Sequence, residues 1–144
     1  MSRLTIKTLS FLLLFSLAFS TVAVPVEAVP ASDYIHSYSA SISRTSSGVV
    51  RVSYCITGMG KMDEIGATTI YLYESIGSSW ALVKTFKHTQ SAYSSMMDSY
   101  TSMHSGYVTY SGTAGKQYYA SVSFWAGKGG DGDTASKSTS SVTA

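Results

Sequence analysis

Asparagine is absent from this chain, cysteine occurs once, proline twice, and only 12% of the residues are charged. Each shortage excludes something. A single cysteine, Cys55, allows no internal disulfide, so stability has to come from packing rather than from cross-links. Ten Lys and Arg against eight Asp and Glu leave a net charge of +2, and the cations are scattered. Nucleic acid demands a concentrated basic face, and anionic lipid a polybasic run. Neither is present. No segment keeps an apolar repeat at helical spacing. Enzyme signatures are missing too: there is no Gly-x-Ser-x-Gly elbow, no His-Glu-x-x-His and no phosphate loop. The chain is expected not to be an enzyme and to need no cofactor.

What is present begins with an export signal. Arg3 and Lys7 form a positive start, and an apolar core from Leu9 to Phe19 follows. That core is shorter than the roughly 20 residues a membrane-spanning helix needs. Val26-Glu27-Ala28 fits the small-residue rule of a signal peptidase site. Cleavage is expected after Ala28, with Ala23 and Ala31 as alternatives. Residues 1–28 are then a signal peptide, and residues 29–144 a single secreted domain with no membrane attachment. Losing Arg3, Lys7 and Glu27 takes the net charge from +2 to +1.

The remaining chain is rich in β-formers and hydroxyls, holding all 11 tyrosines and 36 serines and threonines. Alternation bounded by turn residues predicts seven strands, near 34–43, 49–57, 68–74, 80–87, 107–111, 116–125 and 134–143. A long polar stretch, 88–106, shows no period and reads as a loop. Parity assigns Val50, Val52, Tyr54 and Ile56 to one face of the second strand. Ile70 and Leu72 face the core from the third, and Tyr118, Ala120, Val122 and Phe124 from the sixth.

Seven short antiparallel strands predict an all-β, Greek-key β-sandwich of immunoglobulin type. Gly115-Lys116-Gln117-Tyr118 ahead of alternating apolar residues resembles the fibronectin type III pattern. Gly115 permits the turn, and Tyr118 enters the core with its hydroxyl free to bond upstream backbone, as a tyrosine corner. Val50, Val52 and Tyr54 are similar to the second strand of that pattern, with tyrosine where tryptophan is usual. Five further stretches stand out: Tyr-Ile-x-Ser-Tyr-Ser-Ala, Met-Asp-Glu-Ile-Gly-Ala-Thr, Leu-Tyr-Glu, Trp-x-Leu-Val-Lys-Thr-Phe and Tyr-Ser-Gly-Thr-Ala-Gly-Lys. Through them the chain resembles, along nearly all of residues 29–144, a family of small secreted proteins of Gram-positive, clostridial-type bacteria. That family brings no assigned function, so the resemblance implies no site residues.

The aromatic residues carry the functional expectation. With Ile70, Leu72, Ala120, Val122 and Phe124 inside, Tyr71, Tyr73, Tyr119 and Trp125 point outward. In an immunoglobulin-like topology the third and sixth strands are neighbours, so these four are expected to form one patch on a sheet face. Aromatics among hydroxyls suit stacking on a glycan or contact with a surface protein. The competing reading is ordinary cross-strand pairing. An alternative function is a secreted enzyme or metal-binding protein that uses the 88–106 loop. There His88, His104 and Asp98 would have to converge, or Met96, Met97 and Met103 would have to join the histidines around copper(I). His36 is the remaining histidine. Lys128-Gly129-Gly130-Asp131-Gly132-Asp133 superficially matches a calcium loop but offers too few oxygens, and reads as a hairpin turn. Cys55 shares parity with Arg51 and Ser53 and reads as a small residue on the outer face of its strand; a reactive thiolate there would need a positive neighbour such as Arg51. Asp63 and Glu64, adjacent on a strand, are expected on opposite faces, with Met62 and Ile65 closing the base of the core.

Overall fold

The computed structural model describes residues 32–144. The expected signal peptide and its cleavage site lie outside the described residues. The elements are β1 (Ile35–Ser46), β2 (Val49–Ile76), β3 (Ser79–Lys87), a short 3₁₀ helix (Ser91–Met96), β4 (Met97–Ser111), β5 (Gln117–Lys128), β6 (Asp131–Ser138) and β7 (Val142–Thr143). All seven strands belong to one antiparallel hydrogen-bonded sheet. The domain is all-β.

The main departure from the sequence reading is β2. The two strands expected at 49–57 and 68–74 are halves of one strand of 28 residues. Glycines at 58, 60 and 66 fall within the strand and do not end it. β2 changes partners along its length. Residues 49–57 lie between β1 and β4, residues 69–74 lie between β3 and β5, and residues 64–66 bridge β4 and β5. Gly66 at the crossover has φ +156, and a Cβ there would overlap the Met96 carbonyl oxygen. Backbone this close to backbone admits only glycine.

The polar stretch 88–106 is likewise not one loop. Residues 97–106 are the first part of β4, paired with β2. β4 is mostly exposed, with Val108 its one buried residue, so no alternation marks it. The expected last strand divides into β6 and β7, both paired with β5.

The halves of β2 face one another across a single core. Val50, Val52, Tyr54 and Ile56 meet Ile70, Leu72, Tyr118, Ala120, Val122 and Phe124 in one buried cluster, closed by Met62, Ile65 and Met96. Tyr38 of β1 packs against Phe124 of β5 with ring centroids 5.5 Å apart, although the two strands do not pair. Each fully buried side chain of this size contributes roughly 1.5–3 kcal/mol. Inward parity agrees with the sequence reading in both halves of β2 and in β5.

Tyr118 anchors the fold. Gly115 (φ +83) turns the chain before β5, and the fully buried Tyr118 ring follows. Its hydroxyl donates to Glu74 Oε2 at 2.6 Å and accepts from the Thr113 N–H at 2.8 Å. One hydroxyl thus ties the 111–115 turn to the end of β2.

Candidate functional site: an aromatic sheet face and an end pocket

Cross-strand register decides which residues share the outer face of β3, the second half of β2, β5 and β6. Tyr73 stands opposite Tyr119 on one side and Leu82 on the other. Tyr71 stands between Ser121 and Thr85, and Ser75 stands opposite Trp80. Directly opposed residues point the same way, so these side chains form one surface. On β5 and β6 the surface continues as Ser121 beside Ser138 and Ser123 beside Ser136. Lys87, opposite Thr69, is the one charged residue at these positions among the described residues.

The rings are ordered against one another. Tyr73 and Tyr119 stack with centroids 4.8 Å apart and planes 9° from parallel. Trp80 meets Tyr119 edge-on at 4.8 Å and 88°. Such offset and T-shaped pairs contribute about 0.5–1.5 kcal/mol beyond burial. Trp80 remains 41% exposed and Leu82 52%, so the cluster still offers apolar surface to a partner.

The expected four-residue patch is therefore not one patch. Tyr73 and Tyr119 touch, and Tyr71 lies one pair further along the same face. Trp125 is on that face too, but six residues beyond Tyr119 on β5, about 20 Å away at 3.3 Å per residue. Trp80, absent from the expected set, takes its place. The turn Ile76–Ser79 fixes the register that sets Trp80 opposite Ser75, a signal the sequence did carry.

Trp125 belongs to a different feature, a cavity of about 340 Å³ lined also by Asp63, Glu64, Ser99, Tyr100, Gly127, Lys128, Gly130 and Asp131. It forms where β2 passes between β4 and β5, with Glu64 opposite both Ser99 and Gly127. Gly127 and Gly132 are themselves a cross-strand pair. A Cβ on either would strike the indole, at 2.8 and 2.5 Å. The ring thus lies on a glycine floor, an aromatic covering of backbone that side chains would otherwise shield. Asp63 Oδ2 accepts the Gly129 N–H at 2.8 Å, fixing the β5–β6 turn. Although neighbours in sequence, Asp63 and Glu64 both border this cavity. The turn is formed by Gly129 and Gly130, φ +64 and +86, between paired Lys128 and Asp131, a two-residue hairpin connection with both central residues left-handed.

This end of the molecule is acidic. Desolvation raises the Tyr34 hydroxyl above its ordinary pKa, and the carboxylates of Asp131, Asp133 and Asp33 add to the shift. Asp133 Oδ2 also accepts from the Ser32 hydroxyl at 2.6 Å. Among the described residues no group of three or more His, Cys, Asp or Glu is arranged to hold a metal ion.

The 88–106 candidates do not converge. His88 donates from Nδ1 to the Thr68 carbonyl at 3.0 Å. His104 donates from Nε2 to the Ser95 carbonyl at 2.9 Å, with Asp98 Oδ2 3.7 Å from its Nδ1. Each ring is held by backbone in a different place. Met96 is buried in the core, whereas Met103 is 55% exposed on β4. Cys55 is half-buried on the outer face of the other half, opposite Ser39 and Ser105. Arg51 is instead placed over the Tyr107 ring at 4.1 Å. No family model, curated protein or solved structure matches this chain.

Proposed function

We propose that this chain is a secreted, non-enzymatic β-sandwich of the Greek-key, immunoglobulin or fibronectin type III kind, and that it binds a surface glycan through the Tyr73–Tyr119–Trp80 face. Three features support the sandwich type. The first is the pairing order β1, first half of β2, β4. The second is the complementary order β3, second half of β2, β5, β6. The third is a tyrosine whose hydroxyl reaches back five residues to Thr113, as a tyrosine corner does. The charged start, apolar core and Val26-Glu27-Ala28 of the sequence support secretion.

One observation carries the binding reading. A nearly uncharged sheet face sets three ordered aromatic rings beside a field of serine and threonine hydroxyls. Flat rings stack on the apolar faces of pyranoses, and hydroxyls exchange hydrogen bonds with sugar hydroxyls at little desolvation cost. A protein partner is the other occupant such a face suits.

The test is a binding screen of the purified protein against glycans and cell-wall polymers, repeated with Trp80→Ala and Tyr119→Ala. Each variant should lose roughly 0.5–1.5 kcal/mol of stability with its ring contacts. Each should weaken glycan binding about tenfold or more, since large aromatics dominate interface energetics. Binding of a protein from the same envelope, with no glycan bound, selects the other occupant. Glycan binding unchanged in both variants removes the face from the function.

A further inference from the structure

The Trp125 cavity uses none of Tyr73, Tyr119 and Trp80. We propose that it is a second binding site, for a sugar unit that carries a free, protonated amine. The inference goes beyond the sheet-face reading, and either can fail alone.

Four observations converge on this ligand. The cavity, about 340 Å³, is large enough for a pyranose ring rather than for a bare ion. The six-membered ring of Trp125 rests against Gly127 and Gly132, while the side chain still lines the cavity, where a sugar ring can stack on it. Tyr100 adds a second ring at the rim. It is 70% exposed and is the one non-glycine residue with positive φ (56°) among those described, a conformation the fold maintains at a cost. The lining charge is unbalanced: Asp63, Glu64 and Asp131 against Lys128.

That imbalance selects the amine. Asp63 is already occupied by the Gly129 N–H. Glu64 and Asp131 are exposed and take no side-chain hydrogen bond from a described residue. Two unpaired carboxylates beside an indole and a phenol attract a cation by charge and by ring quadrupole together. A neutral, N-acetylated sugar would fit the ring wall but leave the excess of carboxylates over Lys128 uncompensated.

The experiment titrates the purified protein with a glucosamine trimer and with the N-acetylglucosamine trimer, by calorimetry and by tryptophan fluorescence. The chain has two tryptophans, so a Trp80→Phe background makes Trp125 the sole indole reporter. The glucosamine trimer should bind about tenfold more tightly than the acetylated one and should change Trp125 emission. Its affinity should fall between about 0.02 and 0.3 M salt. Trp125→Ala should abolish the binding. Because that change also uncovers the glycine floor, the exposed pair Glu64→Gln with Asp131→Asn is the second variant. It should melt like the parent and bind the amine at least about tenfold more weakly. Equal affinity for the two trimers, failure to bind either, or undiminished binding by the Glu64→Gln/Asp131→Asn protein would overturn the assignment. So would loss of amine binding in Trp80→Ala alone, which would locate the ligand on the sheet face.

Discussion

Replacing Tyr118 by Phe removes one oxygen and leaves the ring in place, so the outcome reads the corner hydroxyl alone. Two partners are orphaned. The Glu74 carboxylate loses a short donor at 2.6 Å, and the Thr113 N–H loses an acceptor at 2.8 Å. A hydrogen bond to a charged group contributes about 1.5–3 kcal/mol, and a neutral one about 0.5–1.5. Glu74 is half-buried and Thr113 exposed, so water recovers part of both, and the net loss should be about 2–3 kcal/mol. For a domain of this size each kcal/mol lowers Tm by roughly 4 °C, giving a fall of about 8–12 °C. Urea unfolding and thermal circular dichroism would both report it. A double-mutant cycle with Glu74→Ala isolates the pair, which should couple by more than about 1 kcal/mol. Tyr118→Ala adds a cavity and should cost about 3–5 kcal/mol in all. A Tm change under about 2 °C in Tyr118→Phe, or additive behaviour in the cycle, would mean that the hydroxyl does not tie the turn to β2.

Three further outcomes follow from the same geometry. Gly112→Ala should destabilise by about 1–3 kcal/mol in urea titration, since its Cβ would overlap the Tyr118 hydroxyl and ring; combined with Tyr118→Phe, part of that cost should return. Gly66→Ala should prevent folding or cost more than about 3 kcal/mol, measured by soluble yield and melting, because its Cβ would meet the Met96 backbone at the β2 crossover. Burial pushes the Tyr54 hydroxyl up to about 12. The folded state then keeps a proton that the unfolded chain releases near pH 10, so this contribution is full below pH 10 and is lost as pH rises toward 12. Melting temperature should fall more steeply from pH 10 to 12 in the parent than in Tyr54→Phe.

How much of this was legible in the sequence depended on burial. Where a strand is buried on one side, alternation is forced, and parity could be read residue by residue: Val50 to Ile56, Ile70 and Leu72, Tyr118 to Phe124. β4 gave no such signal because it is an edge strand with one buried residue. Its pairing rests on backbone hydrogen bonds that any sequence can make. The continuity of β2 was hidden for the opposite reason. Gly58 and Gly66 carry no side chain to show a face, yet both are buried, one against Met62 and the other against the Met96–Met97 backbone. Their positions answer to close approach rather than to a turn. Trp80 was recoverable from the hairpin register and nothing else.

Trp125 shows why facing outward does not define a patch. Parity fixes the side of the sheet and leaves the coordinate along the strand unconstrained. Tyr119 and Trp125 share a side, yet the strand between them carries only Ser121 and Ser123 outward. Small hydroxyls cannot relay ring contact over about 20 Å. What each aromatic packs on then diverges. Tyr119 stacks on Tyr73 and meets Trp80 edge-on. Trp125 has glycine at positions 127 and 132 and rests against them. The first set packs ring on ring, while Trp125 lines a cavity beside carboxylates. The same parity thus yields two surfaces of different chemistry. Exchanging floor for side chain should interconvert their behaviour at one of them. In Gly132→Ala the indole must leave its floor, since the new Cβ would come within 2.5 Å of it. Trp125 fluorescence in a Trp80→Phe background should then shift toward that of a solvated indole, while Gly132→Ala with Trp80 in place should keep the Tyr73–Tyr119 stack and any glycan binding through that face as in the parent. Unchanged Trp125 emission would mean that the glycine pair does not set the ring's orientation.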